Sequence, residues 1–509
     1  MNLKSITAFL ILLVHLSAGY SQKQTHKISL NVQVDKALKK DFVEEGRIFL
    51  FMTTDRRGEP YTKTFPTPWT SSFFCAKNIA DFNVKEGIEL NADDEWISTA
   101  EWTLDDVPAG EYNVQVLWDH DNSESRIEAA GNLFSVKQTV ILDKDAELDL
   151  TISEVIAPRV IEEHPLAKVE ILKSDLLTKF WNKPMNLKMS VLLPNDYDST
   201  KVYPIRYNVA GYGGRYTRIN RQLRDTSFMN WWTSGSAPQI ITVYLDGEGP
   251  FGDSYQMDSD NSGPYGESLV TEIIPFIENK YRGTTSAENR FVDGCSTGGW
   301  VSLGLQIYYP EVFDGCFSYS PDAVEFENYQ LINIYRDRNA YKNEFGYPRP
   351  VMRMPDGEPM ISLETFMQYE NVLGASNTYL NSGGQFSAHA ALYSPKGDNG
   401  LPKPLIDPVS GDLDKEVADY WKKYDFKLYL EENWNDIGPK LDGKIYVWMG
   451  DMDHFYLNQS ARVLADYFET LSNPKSNAEF EFAAGEGHCA IYSHMNVLKQ
   501  CQERIDSEK

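Results

Sequence analysis

The chain is poor in the features that narrow a function quickly. Only five of its 509 residues are cysteines, and no two form a Cys-x-x-Cys pair; the eight histidines nowhere group at metal-ligand spacing. No zinc site is therefore expected, and no metal or other cofactor is called for. Positive charge is also scarce. Against 74 Asp and Glu stand 48 Lys and Arg, a formal net charge of −26, which disfavours a nucleic-acid partner or an anionic membrane surface because both reward basic residues. Past the first two dozen residues no apolar run approaches the roughly 18 to 20 residues that cross a bilayer, so no membrane insertion is expected. Internal repeats are absent. What remains is ample for large cores: 42% hydrophobic and 13% aromatic residues over a length that suits two or three domains.

The opening stretch "MNLKSITAFLILLVHLSAGYSQ" has one Lys, an apolar run from Ile6 to Leu16 and then small residues. This is the pattern of a cleaved signal peptide over residues 1–21, and it predicts an exported protein, periplasmic or extracellular. Export permits disulfides. With an odd number of cysteines, at least one stays unpaired within the chain.

From 22 to 155 short alternating runs, among them "KISLNVQV", "RIFLFMTT", "EYNVQVLWD" and "AELDLTIS", are separated by Gly, Pro, Asn and Asp, which predicts a small β-sandwich domain. It carries no chemical motif, and the expected role is packing, spacing or facing carbohydrate. A linker over 156–175 leads into a different rhythm over 176–509. There "IRYNVAG", "QIITVYLDG", "NRFVDG", "CFSYS", "KIYVWMG" and "AEFEFAAG" alternate with helical runs such as "SLVTEIIPFIENKYR". Strands spaced by helices predict an α/β fold with a mostly parallel sheet, whose site lies beyond the carboxyl ends of the strands. An insertion at about 323–440, with helical candidates "SLETFMQYENVL" and "DKEVADYWKKYD", is too long for a plain loop and is expected to cap that face.

Gly294-Cys295-Ser296-Thr297-Gly298 fits G-x-S-x-G, the tight strand-to-helix turn that exposes a serine oxygen. The flanking glycines keep side chains out of the turn, and a helix starting at Thr297 directs backbone N–H groups toward the reacting centre. A serine needs a base. Downstream lie His389, His454, His488 and His494; His488, in "AAGEGHCAIYS" after the last strand-like run, is expected to be the base, and His494 to cap or pack the final helix. For the acid, "VWMGDMDHF" offers Asp453 first and Asp451 second, with Asp322 of "SYSPD" third. The oxyanion hole is expected from the backbone N–H of Tyr212 or Gly213, in the turn Gly211-Tyr212-Gly213-Gly214, together with that of Thr297.

Cys295 precedes this serine and Cys489 follows this histidine. If Ser296 and His488 meet, the two cysteines can come within the roughly 7 Å between Cα atoms that a disulfide needs. Cys75, Cys316 and Cys501 are then left without an assigned partner. "DSDNSGPYGE" begins like a calcium loop, but its glutamate falls two positions early and a proline follows the glycine, so a polar loop near the pocket is expected instead.

Taken together, "SDLLTKFWNKPMNLKMSVLLP", "DSDNSGPYGESLVTEIIPFIENKYR", "GCSTGGW", "YPEVFDGCFSYSPDAVEF" and "VWMGDMDHFYLN" resemble the esterase family that includes esterase D, enterochelin esterases, feruloyl and acetyl-xylan esterases and mycolyl transferases. The resemblance covers about two thirds of the chain. It implies an α/β-hydrolase fold with Ser296 as nucleophile, Asp453 as acid and His488 as base. The Cys-Ser and His-Cys pairing departs from the usual His before the serine. It is similar to the tannase and fungal feruloyl esterase group, in which two such cysteines are joined beside the triad.

The function expected is an exported serine esterase that works through an acyl-enzyme on a small-molecule or glycan-linked ester, of carbohydrate or phenolic type. Acyl transfer to a sugar or lipid hydroxyl would use the same residues. A non-catalytic glycan-binding protein would have no need of the elbow. Tyr369, Tyr379, Trp421 and Tyr424 of the insertion would suit stacking on sugar or phenolic rings, or packing of the cap itself.

Overall fold

A computed structural model describes residues 26–67, 72–100, 103–121 and 124–507; the expected signal peptide lies outside them. The strands from Ile28–Val34 to Ala146–Val155 join in one nine-stranded sheet, antiparallel except where its first and last strands run side by side. The sheet folds over on itself. Leu30 and Val32, Leu50 and Met52, Val114 and Val116, and Leu150 and Ile152 meet in one buried cluster, and each pair occupies alternate positions of its strand, as period-two patterning requires.

The opposite face of this sheet is closed as well. Phe49, Phe51, Phe74 and Leu117 are buried against Val372, with Tyr369 beside it, on the later helix Leu363–Leu373. The strand Ser72–Ile79, "SFFCAKNI", is missing from the expected runs; its first five residues are buried in succession and show no polar alternation. Hydrogen bonds fasten the same contact. Arg47 Nη2 donates to the Val372 carbonyl and to Asn377 Oδ1, each at 2.9 Å, and the Tyr369 hydroxyl donates to the Ser72 carbonyl at 3.0 Å.

The second sheet has eight strands: Ala167–Ser174, Met185–Leu192, Ile205–Val209, Ile241–Leu245, Arg290–Cys295, Gly315–Tyr319, Ile445–Gly450 and Glu479–Ala483. Laid side by side they follow the chain order except that the third and fourth exchange places. The first two pairings are antiparallel and the rest parallel. Helices cover both faces, so the central strands Ile205–Val209, Ile241–Leu245, Arg290–Cys295 and Gly315–Tyr319 are buried throughout. This is the α/β-hydrolase arrangement.

Between Gly315–Tyr319 and Ile445–Gly450 the insertion builds helices Leu363–Leu373, Gln385–Tyr393, Lys415–Trp421 and Phe426–Ile437. Ser362 caps the first by accepting from Thr365 N, and Asp414 caps the third by accepting from Glu416 N and Val417 N. Tyr379, Trp421 and Tyr424 are buried in the main core; of the four aromatics weighed for ring stacking or cap packing, Tyr369 lines a cavity. In the segment from Asp258 to Glu267, Asp260 and Glu267 face outward, but other polar groups are turned inside the protein. Asp258 Oδ2 accepts from the Tyr309 hydroxyl at 2.6 Å, and Asn261 Nδ2 donates to the carbonyls of Ala391 and Ser394 at 3.1 and 2.7 Å.

Candidate active site

The strand Arg290–Cys295 ends and the helix Thr297–Tyr308 begins with only Ser296 between them. Ser296 adopts φ 62° and ψ −127°, a region that non-glycine residues enter only under constraint from their surroundings. The constraint is backbone crowding. A Cβ on residue 294 would lie 2.5 Å from the Val209 carbonyl oxygen; one on residue 298 would collide with the same oxygen, and one on residue 299 with the Tyr319 carbonyl. All three glycines are thus required by close approach, and Ser296 N is held by a hydrogen bond to Tyr319 O at 3.0 Å.

His488 lies in the loop after Glu479–Ala483, and its Nδ1 is 2.6 Å from Asp453 Oδ2. Asp453 is fully buried, and its Oδ1 accepts from the backbone N–H groups of Phe455 and Leu457 at 2.9 and 3.3 Å. Burial alone would lower the His488 pKa; the facing Asp453 carboxylate outweighs it and holds the imidazole above its ordinary value. Nε2 of His488 is left free of hydrogen bonds among the described residues, as is Ser296 Oγ, and both residues line one cleft of about 800 Å³. No hydrogen bond joins the two; such bonds commonly tighten only around substrate.

The other acids go elsewhere. Asp451 pairs with Arg462 at the surface. Asp322 lies under the start of the helix Thr297–Tyr308, accepting from the Tyr255 hydroxyl at 2.7 Å and Thr297 Oγ1 at 3.0 Å, beside His389 rather than His488. His494 heads the last helix, and its Nδ1 faces Arg206 Nη2 at 3.1 Å; burial first, and then the Arg206 and Arg218 cations, hold its pKa well below the ordinary imidazole value.

Cys295 and Cys489 form a disulfide with a Cα–Cα distance of 6.1 Å across 194 residues of sequence. It joins the residue before the serine to the residue after the histidine. Three residues on, Tyr492 donates to Asp293 Oδ2 at 2.9 Å, so the histidine loop is fastened to the serine strand twice. Cys75, Cys316 and Cys501 are unpaired and buried.

In the glycine-rich turn the Gly214 N–H bonds to the Gly211 carbonyl at 3.0 Å, and Gly213 has φ 73°, a geometry that only glycine adopts readily. The Gly213 N–H is directed to Asp253 Oδ2 at 3.3 Å. That separates the two expected donors: Tyr212 N–H remains, next to Gly211, where an added Cβ would touch Ser296 Cβ at 3.5 Å. The first-turn N–H of Thr297 has no acceptor within its helix.

The model of the family described as "Putative esterase" matches residues 183–498. The chain belongs to this family. The span takes in the serine turn, the histidine loop and the acid between them. The chain is also 26% identical over 145 residues to the uncharacterized protein YjcH of Bacillus subtilis (strain 168), over 28% of this chain and 60% of that one; it thus spans less than two thirds of that relative's length. Among solved structures, a ferulic acid esterase is 16% identical, with 67% of this chain and 97% of that chain covered and a TM-score of 0.41. An S-formylglutathione hydrolase from Agrobacterium tumefaciens is 12% identical, with 67% and 94% covered and a TM-score of 0.38.

One contributor was not foreseen from the sequence. Arg126, from the N-terminal sheet's loops, lays its guanidinium over the Tyr212 ring at 4.8 Å from the centroid and fills the space that a Cβ on residue 213 would need. A second cavity of about 300 Å³, lined by Arg126, Phe366 and Tyr369, adjoins the first, and Phe65, Tyr212 and Gln385 line both. No local signal marks an arginine 86 positions upstream of the turn it covers.

Proposed function

We propose that the protein is an exported serine carboxylic ester hydrolase that acts through an acyl-enzyme on carbohydrate-linked or phenolic esters. In this reading residues 1–21 are removed on export, residues 22–155 are a β-sandwich domain joined by a linker to the hydrolase domain, and no cofactor takes part. The observation that carries the proposal is the pairing, in one cleft, of a serine in a constrained turn with a histidine whose far nitrogen is free and whose near nitrogen is 2.6 Å from a buried aspartate.

Ser296 Oγ attacks the ester carbonyl carbon while His488 Nε2 accepts its proton. Asp453 orients the ring and stabilises the imidazolium that forms without taking the proton itself. The N–H groups of Thr297 and Tyr212 receive the developing oxyanion; loss of one such donor typically costs about 3 to 4 kcal/mol. The imidazolium returns its proton to the departing alcohol, and water deprotonated by His488 then releases the acid.

The test is hydrolysis of 4-nitrophenyl acetate and methyl ferulate by the mature protein beside Ser296→Ala. Turnover that disappears in the variant, with an acyl adduct on Ser296 trapped by mass spectrometry, is the expected result. Equal background rates in the two proteins would sink the proposal.

A further inference from the structure

The lining of the serine cleft runs against the composition of the chain. Among the described residues its wall includes Arg159, Arg215, Arg218, Arg221 and Arg224, and not one Asp or Glu, in a protein whose formal net charge is −26. Four of the five come from one stretch, "RYTRINRQLR", at every third position. A 3-10 turn over Tyr216–Arg218 runs directly into the helix Ile219–Arg224, and a period near three keeps these side chains to one side.

Internal pairing uses up only part of their charge, although buried Asp246 and Asp253 face Arg215, and Asp246 and Asp293 face Arg218, from behind the wall. Arg215 Nη2 bonds Glu124 Oε2 at 3.1 Å while Arg159 Nη1 approaches the same oxygen at 3.7 Å, so two cations lean on one carboxylate, with Glu128 also 3.7 Å from Arg159. Arg215 is only 7% exposed, yet its Nε and Nη1 have no partner. Arg218 donates solely to neutral oxygens, among them the carbonyls of Asn208 at 2.6 Å and Arg215 at 3.1 Å. Arg224 is held by Glu162. Arg221 is exposed, and its side chain makes no ion pair or hydrogen bond among the described residues. A concave wall of one sign focuses its field into the cleft and raises the local concentration of counter-charged substrate. Guanidinium forks also match the planar or tetrahedral oxygens of carboxylates, phosphates and sulfates.

We propose that the cleft selects esters carrying a fixed negative charge, a carboxylate or a phosphate or sulfate, on the part of the substrate that lies along the Arg215–Arg224 wall. The proposal rests on the esterase reading for its substrate and adds the charge.

Matched esters test it with the intact protein. Mono-4-nitrophenyl adipate against 4-nitrophenyl hexanoate places the charge on the acyl side. On the alcohol side, 4-acetoxybenzoate and 4-acetoxyphenyl phosphate are set against methyl 4-acetoxybenzoate, and the two anions separate carboxylate from phosphate recognition. In at least one comparison kcat/KM for the charged ester should exceed that of its neutral partner by about tenfold at low salt. The excess should shrink toward unity at about 0.5 M salt. It should fall by about tenfold in Arg221→Glu and by less in Arg221→Ala. A wild-type ratio at or below one in every comparison overturns the proposal, and so does an Arg221→Glu loss equal for charged and neutral esters, which is the mark of a structural role. Hydrolysis of neutral esters without charge preference would leave the esterase reading standing and remove only this one. If no ester is turned over, calorimetric titration of Ser296→Ala with 4-acetamidobenzoate and 4-acetamidophenyl phosphate still decides: binding lost on adding Arg221→Glu supports the anion site, and no binding overturns it.

Discussion

Two carboxylate–histidine pairs flank Ser296, and they differ in what the ring is left free to do. In the first, His488 spends only Nδ1, on Asp453 at 2.6 Å, and its Nε2 opens on the cleft. In the second, His389 stands 3.7 Å from Asp322 with both ring nitrogens engaged: Nδ1 by the Tyr329 hydroxyl at 2.5 Å and Nε2 by the Tyr255 hydroxyl at 2.6 Å. Residue types do not separate the pairs. What separates them is whether a nitrogen remains to move a proton, so the first can serve as a base and the second works as a polar fastening under the nucleophile helix.

The largest effect should therefore fall on one pair alone. Asp453→Asn, which leaves His488 without its carboxylate, should lower kcat by about 10⁴-fold, the scale of such an exchange in a serine triad. Asp322→Asn keeps the size of the side chain and should cost less than about tenfold, through slight misplacement of Thr297. Equal losses in the two variants would erase the distinction. The pH profile sharpens it. His488 is a base only when neutral, and its pKa lies above the ordinary imidazole value; kcat/KM should thus rise with pH through a midpoint above about 6.5. In Asp453→Asn the residual activity should show that limb displaced to lower pH, because the raising charge is gone, whereas in Asp322→Asn the displacement should be smaller.

Next in size is the disulfide. Closing a loop of nearly two hundred residues contributes roughly 5 kcal/mol in the chain-entropy model, and measured values often fall short. Cys295→Ala/Cys489→Ala should lower the denaturation midpoint and weaken activity on every ester alike, since the bond places the His488 loop beside Ser296. A double variant as stable and active as the wild type would show that the Tyr492–Asp293 contact suffices.

The parts of this arrangement that were legible in the sequence are those set by local rules. The strand-to-helix turn at Ser296 announces itself by its glycines, and the order of serine, acid and histidine follows from the alternation of strands and loops. Asp453, Asp451 and Asp322 can be ranked from the sequence but not decided, because hydrogen-bond direction is a tertiary fact. Arg126 and Gln385 were beyond reach: each meets the site only because the N-terminal sheet and the insertion pack against the same face. The arginine stripe lies in plain view at spacing three, but its sense depends on the absence of acids from the opposite walls, which only the folded chain displays. Tyr379, Trp421 and Tyr424 show the converse. By residue type they suit a binding surface or packing of the cap equally, and burial in the core decides for packing.

A more modest change probes the fastening itself. Tyr255→Phe removes the hydroxyl that donates to Asp322 Oδ2 and meets His389 Nε2, leaving a buried carboxylate and a buried ring nitrogen one partner short. Such a loss typically costs about 1 to 3 kcal/mol of stability. Thermal unfolding should register it, while kcat at saturating substrate should change far less than in Asp453→Asn. A Tyr255→Phe protein as stable as the wild type but inactive would mean that the second pair takes part in the chemistry.

The smallest effect is expected two residues from the largest. Asp451 shares the strand-end turn with Asp453, but its carboxylate points outward to Arg462, with the two side chains 29% and 48% exposed. Water screens a pair of that kind, and its contribution is typically about 0 to 1 kcal/mol. Asp451→Asn should accordingly leave kcat/KM within about twofold of the wild type, and any loss of stability should fade as salt is raised. The comparison with Asp453→Asn is demanding because the two substitutions are chemically identical and nearly adjacent in the chain. If Asp451→Asn abolished activity while Asp453→Asn spared it, the direction of the carboxylates in this turn would be reversed, and the assignment of the acid with it.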